Sequence, residues 1–256
     1  MTPVLSGHDL VRTFRSQRGE TRALSKVSVE VPERGAVGIV GESGAGKSTL
    51  LRLLLALDSP DSGEIRYRGE RLHRRDRGRL RDFRRAVQPV FQDPRSSLNP
   101  RMRVGAIIAE PLRSLRVPGD HRAMVAGLLR DVGLDPETAD RYPAEFSGGQ
   151  RQRIAIARAL GPSPAVLVAD EPVSALDVTV RQQILALLGR LRDERGMALV
   201  MVSHDMAIVG QLCEEVVVMR EGQVMEAGPT EGVFRDPAHP YTRQPLPAVP
   251  QLPDTP

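Results

Sequence analysis

No apolar run in this chain approaches the roughly 18 to 20 residues that a membrane-spanning helix needs, and stretches such as Leu50 to Leu57 are broken by Arg52. A bilayer-spanning segment is therefore not expected. Cysteine is nearly absent. Cys213 stands alone, which excludes an internal disulfide or a cysteine metal cluster and predicts a buried thiol with no redox role. Residues Met1 to Leu10 carry neither a basic leader nor an apolar signal core, so the expected compartment is the cytoplasm. What is present suffices for a core: 256 residues, 40% of them hydrophobic, fit one compact domain carrying a lobe.

The net charge of +4 is unevenly placed. Between Arg66 and Arg85 ten arginines stand against Glu70, Asp76 and Asp82, a balance of 10 minus 3, or +7, so the rest of the chain sums to −3. Such a stretch suits nucleic acid or anionic headgroups, or else forms a solvated helical face. Only Tyr67 and Phe83 interleave as stacking groups, which favours the solvated face and predicts no specific nucleic-acid partner.

The order of elements is legible from periodicity. Val27, Val29 and Val31 alternate with polar residues as in a half-buried strand, Pro32 to Gly35 turns, and Ala36 to Val40 is a short buried strand. It feeds a glycine loop and a helix over Ser48 to Leu57. Later, Ala165 to Ala169 and Met197 to Val202 read as buried strands around a helix over Val180 to Arg192. Strands alternating with helices imply a largely parallel sheet covered on both faces. From about Pro94 to Leu160 no strand run occurs, and helices interrupted by Pro100, Pro111, Pro118, Pro136 and Pro143 are expected. The last twenty residues hold seven prolines, which predicts an extended or mobile end.

The glycine loop, Gly41-Glu42-Ser43-Gly44-Ala45-Gly46-Lys47-Ser48, fits the phosphate-loop pattern in its required place between strand and helix. Glycines let successive N–H groups turn inward at phosphate oxygens, and the following helix adds the positive end of its dipole. Lys47 then carries the point charge for the β and γ phosphates, and Ser48, followed by Thr49, offers a hydroxyl to Mg²⁺. Asp170 and Glu171 end the strand Ala165 to Ala169, where bare carboxylates are costly. Asp170 fits an outer-sphere holder of Mg²⁺, and Glu171 a base for the attacking water. A single asparagine, Asn99, precedes Pro100, so the guanine-reading Asn-Lys-x-Asp motif is excluded.

Phe146-Ser147-Gly148-Gly149-Gln150-Arg151-Gln152-Arg153 resembles the signature motif of ABC ATPases. Ser147 can cap a helix whose apolar face runs through Ile154, Ala157 and Leu160, while Gly148 and Gly149 bare N–H groups for an anion. The resemblance implies an α/β fold: a P-loop NTPase (RecA-like) core with a largely parallel sheet, an N-terminal antiparallel β part and an inserted helical lobe. It implies a head-to-tail dimer in which Ser147, Gly148, Gly149 and Gln150 of one cassette close over ATP held by another copy or by a sister cassette. By the same resemblance Phe14 looks like the aromatic that stacks on adenine, Gln92 like the Q-loop glutamine reaching Mg²⁺ and water, and Asp177 in Ser174-Ala175-Leu176-Asp177 like the D-loop at the seam. His204 looks like the switch histidine on the γ-phosphate. Taken singly, Phe14 reads as core, and Gln92 and His204 as ordinary strand-end polar residues; the shared register favours the functional set.

Gln92-Asp93-Pro94-Arg95-Ser96-Ser97-Leu98-Asn99-Pro100, the signature, and His239-Pro240-Tyr241-Thr242-Arg243 together resemble the peptide and nickel importer branch. That resemblance, over about residues 5 to 250, implies ATP hydrolysis, two membrane permease subunits docked between the Gln92 loop and the helical lobe, and an external solute-binding protein. The expected organisation is one domain over 1–250, with core 1–93 and 161–235, lobe about 94–160, and a proline-rich tail 236–256. Three features depart from the branch. Pro89 lies in the strand leading to Gln92, which predicts an edge or a bulge; Pro245 and Pro247 break a helix usual after the His-Pro-Tyr-Thr run; and the cysteine-bearing tail of some members is missing. A soluble ABC ATPase acting on nucleic acid, the ribosome or a phosphonate-processing complex is the alternative. The basic stretch supports it, whereas a single cassette, no long heptad insertion and no zinc cysteines count against it.

Overall fold

The alternation at Val27 to Val31 is the inner end of a much longer strand. The computed structural model of the chain describes residues 2–16, 19–73, 75–93 and 97–243; Arg74, residues 94–96 of the Gln92 segment, and the prolines at 245, 247, 250, 253 and 256 lie outside them. The chain forms two compact units, Met1–Arg71 with Val200–Pro256, and Leu72–Leu199, and the expected lobe of 94–160 falls within the second.

In the first unit an antiparallel sheet has the order β2-β1-β4-β5, with β1 at Leu5–Ser16, β2 at Gly19–Val31, β4 at Ser62–Tyr67 and β5 at Glu70–Arg71. Leu24 and Val27 both point inward although three residues apart. Lys26 explains this: its φ of 56° marks an extra residue in β2 where Leu10 opposes Val27 and Arg12 opposes Leu24, a bulge that resets the period. Asp9, at φ 46°, does the same in β1. A second group of strands runs β10-β9-β3-β8. β3 (Gly35–Val40) lies parallel to β9 (Glu215–Arg220), with Val37 opposite Glu215 and Val40 opposite Val218, and β10 (Gln223–Pro229) returns antiparallel to β9. Helix α1 (Lys47–Leu54) buries Leu50, Leu51, Leu53 and Leu54. Helix α7 (Met206–Leu212) presses on β3 so closely that a Cβ on Gly38 would stand 2.2 Å from Val209 Cγ1. Cys213 is buried, as expected. β8 (Ala198–Ser203) begins in the second unit and ends in the first.

In the second unit β6 (Val87–Val90) lies parallel to β7 (Val166–Asp170), and Ala198 N–H bonds Ala165 O at 2.8 Å. β6 ends the strand order and its register with β7 is continuous, so Pro89 is accommodated by an edge and not by a bulge. The expected α/β class with a mostly parallel sheet and an antiparallel part is met. The described α-helices are α2 (Arg77–Ala86), α3 (Val104–Ser114), α4 (His121–Asp131), α5 (Gly148–Leu160) and α6 (Val178–Arg195). Pro136 and Pro143 open short 3₁₀ turns, where a missing N–H costs nothing. Pro111, expected to interrupt a helix, instead lies buried inside α3.

The arginine stretch is not one helical face. Arg66 and Arg71 lie on β4 and β5, ion-paired with Glu64 at 2.5 and 3.4 Å. From Arg77 onward the chain is α2, capped by Asp76, whose Oδ1 accepts the Arg79 N–H at 3.0 Å. Its arginines Arg77, Arg81 and Arg84 are exposed, and it is anchored by Leu80 and a fully buried Phe83. The anchor carries the stability. Phe83→Ala should cost about 3–5 kcal/mol while Arg81→Ala stays within about 0.5 kcal/mol; thermal melting of the two variants decides it, and equal midpoints would remove the anchor role.

Candidate functional site

The residues of the phosphate-loop pattern lie in the first unit. After Val40 the loop curls through Gly41, Gly44 and Gly46 at φ 155°, 84° and 98°, the left-handed side that glycine adopts without strain. Two of them are also hemmed in. A Cβ on Gly41 would stand 2.3 Å from Met219 O, and one on Gly46 2.5 Å from Ala23 O. Gly46 is the N-cap of α1 and brings no capping side chain, so the first N–H groups of the helix face outward as an anion site would require. Lys47 is buried, and its Nζ donates to Gly41 O at 2.6 Å and Glu42 O at 2.9 Å. Glu42, Ser43, Gly44 and Ala45 line a cavity of about 200 Å³ with Arg220 and Glu221. Ser48 is exposed in the first turn of α1, with Thr49 half-buried beside it.

Phe14 is 42% exposed, which rules out the core reading, and the Arg12 guanidinium lies 5.0 Å from its ring centroid. Arg12 is itself held by Asp58 at 3.0 Å and Asp61 at 2.8 Å. His204 is exposed between two local bonds: Ser203 Oγ accepts the Asp205 N–H at 3.0 Å, and Asp205 Oδ1 accepts from Ala207 N–H at 2.9 Å as N-cap of α7. The cap fixes the backbone on which His204 is displayed.

The remaining residues lie in the second unit, and the structure brings several of them together there. Gln92 follows β6, and its Nε2 donates to Glu171 Oε2 at 3.2 Å and to Ser174 Oγ at 3.4 Å. Asp170 is the last residue of β7. Glu171 follows with φ 43°, an uncommon left-handed conformation for a residue with a side chain, and Ser174 Oγ donates to its carbonyl at 3.2 Å. At the start of α5, Ser147 Oγ accepts the Gln150 N–H at 3.2 Å and Gln150 Oε1 accepts the Ser147 N–H at 2.9 Å, a reciprocal capping box. The approach to it is fixed by Glu145. The Tyr142 N–H and Arg141 hold that carboxyl below the usual glutamate range, and Arg141 stacks over Phe146 at 5.1 Å. Gln92, Gly148 and Leu176 share the lining of a cavity of about 400 Å³ with Asp93, Arg151, Gln152, Pro172 and Ala175.

The ABC transporter family model matches residues 24–174. The chain belongs to the ABC transporter family. This cassette is similar to the glutathione import ATP-binding protein GsiA of Escherichia coli (strain K12), 49% identical over 257 residues, covering 97% of the cassette and 41% of that protein. GsiA of Salmonella choleraesuis (strain SC-B67) is 48% identical with the same coverage. The chain thus spans about two-fifths of the length of the curated relatives it matches, 41% in each of these. Among solved structures it is similar to the ATP-binding cassette MJ0796 in a dimeric post-hydrolysis state bound to ADP and Pi, at TM-score 0.79 and 29% identity, covering 88% of this cassette and 98% of that chain. It is also similar to cbiO1 from Clostridium perfringens, part of the ABC transporter complex cbiONQ, at TM-score 0.81 and 29% identity over 92% of each.

Two parts of the cassette's site are not apparent from motifs alone. Asp177, implied as a D-loop residue, is the N-cap of α6, its Oδ1 accepting the Val180 N–H at 2.9 Å. Arg220 and Glu221 stand beside the phosphate loop because Glu221-Gly222 makes the β9–β10 turn with both φ positive, 48° and 76°. An x-Gly pair between two apolar runs was the signal available for that turn.

The two signature glycines differ in kind. A Cβ on Gly149 would stand 2.4 Å from Val180 Cγ1, whereas one on Gly148 would meet Leu176 Cδ2 at an ordinary 3.5 Å. Gly149→Ala should therefore destabilise the cassette by about 1–3 kcal/mol and Gly148→Ala leave its melting unchanged. The reverse order in a melting comparison would refute this packing.

Proposed function

We propose that this cassette hydrolyses ATP to power a binding-protein-dependent importer for peptides, nickel or a related small solute, working peripherally at the cytoplasmic face of the membrane. The observation that carries the catalytic reading is the bond from Gln92 Nε2 to Glu171 Oε2, in a chain that also holds a complete, curled phosphate loop. The importer reading is supported by the 49% identity to a protein named for glutathione import. Glutathione is itself a small peptide, the solute class that the Gln92–Pro100 and His239–Arg243 runs favour.

In this reading the loop N–H groups of residues 41–48 and the dipole of α1 hold the phosphates, and Lys47 turns its ammonium from the carbonyls of Gly41 and Glu42 to the β and γ oxygens. Phe14, exposed and backed by Arg12, takes the adenine face. The water oxygen attacks the γ-phosphorus in line, its proton passes to the Glu171 carboxylate, and the bond to the β–γ bridging oxygen breaks to leave ADP. Gln92 fixes the plane of that carboxylate by holding Oε2. His204 donates to the γ-phosphate. Ser48 hydroxyl and Asp170 carboxylate are hard oxygen donors of the type Mg²⁺ prefers; bound with them and Gln92, the ion would neutralise phosphate charge.

The partner cassette, a second copy or a sister, presents Ser147, Gly148, Gly149 and Gln150 to the same ATP, with Asp177 at the seam. The exposure of Ser147 and Gln150, and of Val178 at 71%, supports a surface made to be covered. Among the described residues no helix is long and apolar enough to cross a membrane. Two permease subunits docked near the Gln92 segment supply that span, fed by an external solute-binding protein.

Lys47→Ala should leave a folded protein that no longer binds ATP. A calorimetric titration showing undiminished affinity would refute the phosphate role of Lys47.

Glu171→Gln keeps shape and removes basicity, so ATP should bind while hydrolysis slows by about 100-fold or more and an ATP-dependent dimer accumulates. Adding Ser147→Arg should abolish that dimer, beyond the ~1 kcal/mol expected from losing the cap. Light scattering with and without ATP, with any sister cassette supplied, tests both. Near-normal hydrolysis by Glu171→Gln, or a dimer indifferent to Ser147→Arg, sinks the proposed site.

A further inference from the structure

The segment that carries Gln92 is held at both ends. Gln92 itself follows β6, and a backbone bond closes the far side: the Ser97 N–H donates to Asp93 O at 3.1 Å, so the residue next to Gln92 is tied directly to Ser97. Leu98, 1% exposed, then anchors the chain in the core, and Asn99 turns it, its Oδ1 accepting the Arg101 N–H at 3.0 Å. Onto this closed end comes a side chain from α5. Arg158 Nη1 donates to Ser97 O at 2.6 Å.

Arg158 lies in α5 about three turns beyond Ser147. It is half-buried, where burial draws the guanidinium below its usual range and Glu110 of α3 acts against that. A cation drawn out of water is stable only where the protein replaces its hydration, and a charged donor to a carbonyl is among the stronger hydrogen bonds. The bond to Ser97 O is therefore costly to break, and the planar guanidinium fixes its direction as well as its length. Polar contacts then run unbroken from α5 to Glu171: Arg158 to Ser97, Ser97 to Asp93, and from the adjoining Gln92 to the Glu171 carboxylate at 3.2 Å and Ser174 Oγ at 3.4 Å.

We propose that Arg158 is a positioning residue for Gln92: by fixing Ser97 from the helix that opens with the signature, it sets the glutamine where its amide holds Glu171 Oε2 for the attacking water. The inference rests on the reading of Glu171 as the base and Gln92 as its holder. Arg158 touches neither nucleotide nor water in this scheme, so its effect passes through Gln92. It is tested with Arg158→Met, which keeps the stem and removes the donors, and with Arg158→Lys, which keeps the cation but falls one bond short of Ser97 O, each alone and combined with Gln92→Ala. ATP affinity by calorimetry, melting midpoint and steady-state hydrolysis in the assembled transporter are read for every variant.

Arg158→Met should lower kcat about 3- to 10-fold and Arg158→Lys about 2- to 5-fold, within the reach of one charge-assisted hydrogen bond. ATP affinity and KM should stay close to the parent's, because residues 41–48 hold the phosphates. In the Gln92→Ala background neither substitution should lower kcat further, the coupling expected of residues that act in one chain of contacts. A merely structural role would lower the melting midpoint and add its own loss of kcat to that of Gln92→Ala. Parent-like kcat in either folded Arg158 variant, or an additive loss in the double variants, overturns the proposal; should Arg158→Met fail to fold, the lysine variants decide. Parent-like hydrolysis by Gln92→Ala alone overturns the site reading beneath it.

Discussion

The buried ammonium of Lys47 is the constraint on which the first unit turns. A cation out of water costs several kcal/mol unless it is solvated by the protein, and here the carbonyls of Gly41 and Glu42 do that at 2.6 and 2.9 Å. Those carbonyls converge only because the loop curls. The curl in turn requires Gly41 and Gly46, since Met219 O and Ala23 O leave no room for a side chain on either. Charge, backbone conformation and the packing of β2 and β9 are therefore one requirement met in three places.

In the second unit the corresponding constraint is polar and lies above the sheet. Glu171 sits in a left-handed backbone conformation that costs on the order of 1 kcal/mol or more, and the bonds from Ser174 to its carbonyl and from Gln92 to its carboxylate hold it there. Pro89 on the edge strand leads directly to Gln92, so the chain gives up a ladder bond where no neighbouring strand needs it and places the glutamine at the strand's end.

How much of this was legible in the sequence depends on how local each feature is. The phosphate loop, the Asp170-Glu171 pair and the Ser147–Gln150 cap are contiguous runs whose chemistry is contained in their spacing, and Ala36–Val40 and Val166–Ala169 announce themselves by unbroken apolar runs. β1 and the outer half of β2 do not, because the bulges at Asp9 and Lys26 shift the alternation and residues 19–22 are exposed on both faces. The arginine stretch reads as one block only along the chain; folded, Glu64 neutralises part of it on strands while the rest rides α2. Pro111 defeats the simple rule that proline ends a helix. Asp177 looks like an interface residue by motif, and its capping bond to Val180 N–H becomes visible only once α6 exists.

That cap has a mechanical side. Eighteen residues at 1.5 Å each make α6 a rod about 27 Å long, fastened at its origin by Asp177. Near its other end Arg190 grips Asp131 O at 2.6 Å and Arg195 grips the Asp131 carboxylate at 2.5 Å, both at the last turn of α4. A stiff rod fixed at both ends cannot absorb a displacement along its length. A tilt at the Asp177 end of such a rod would be felt as a pull on Asp131 in the neighbouring helix.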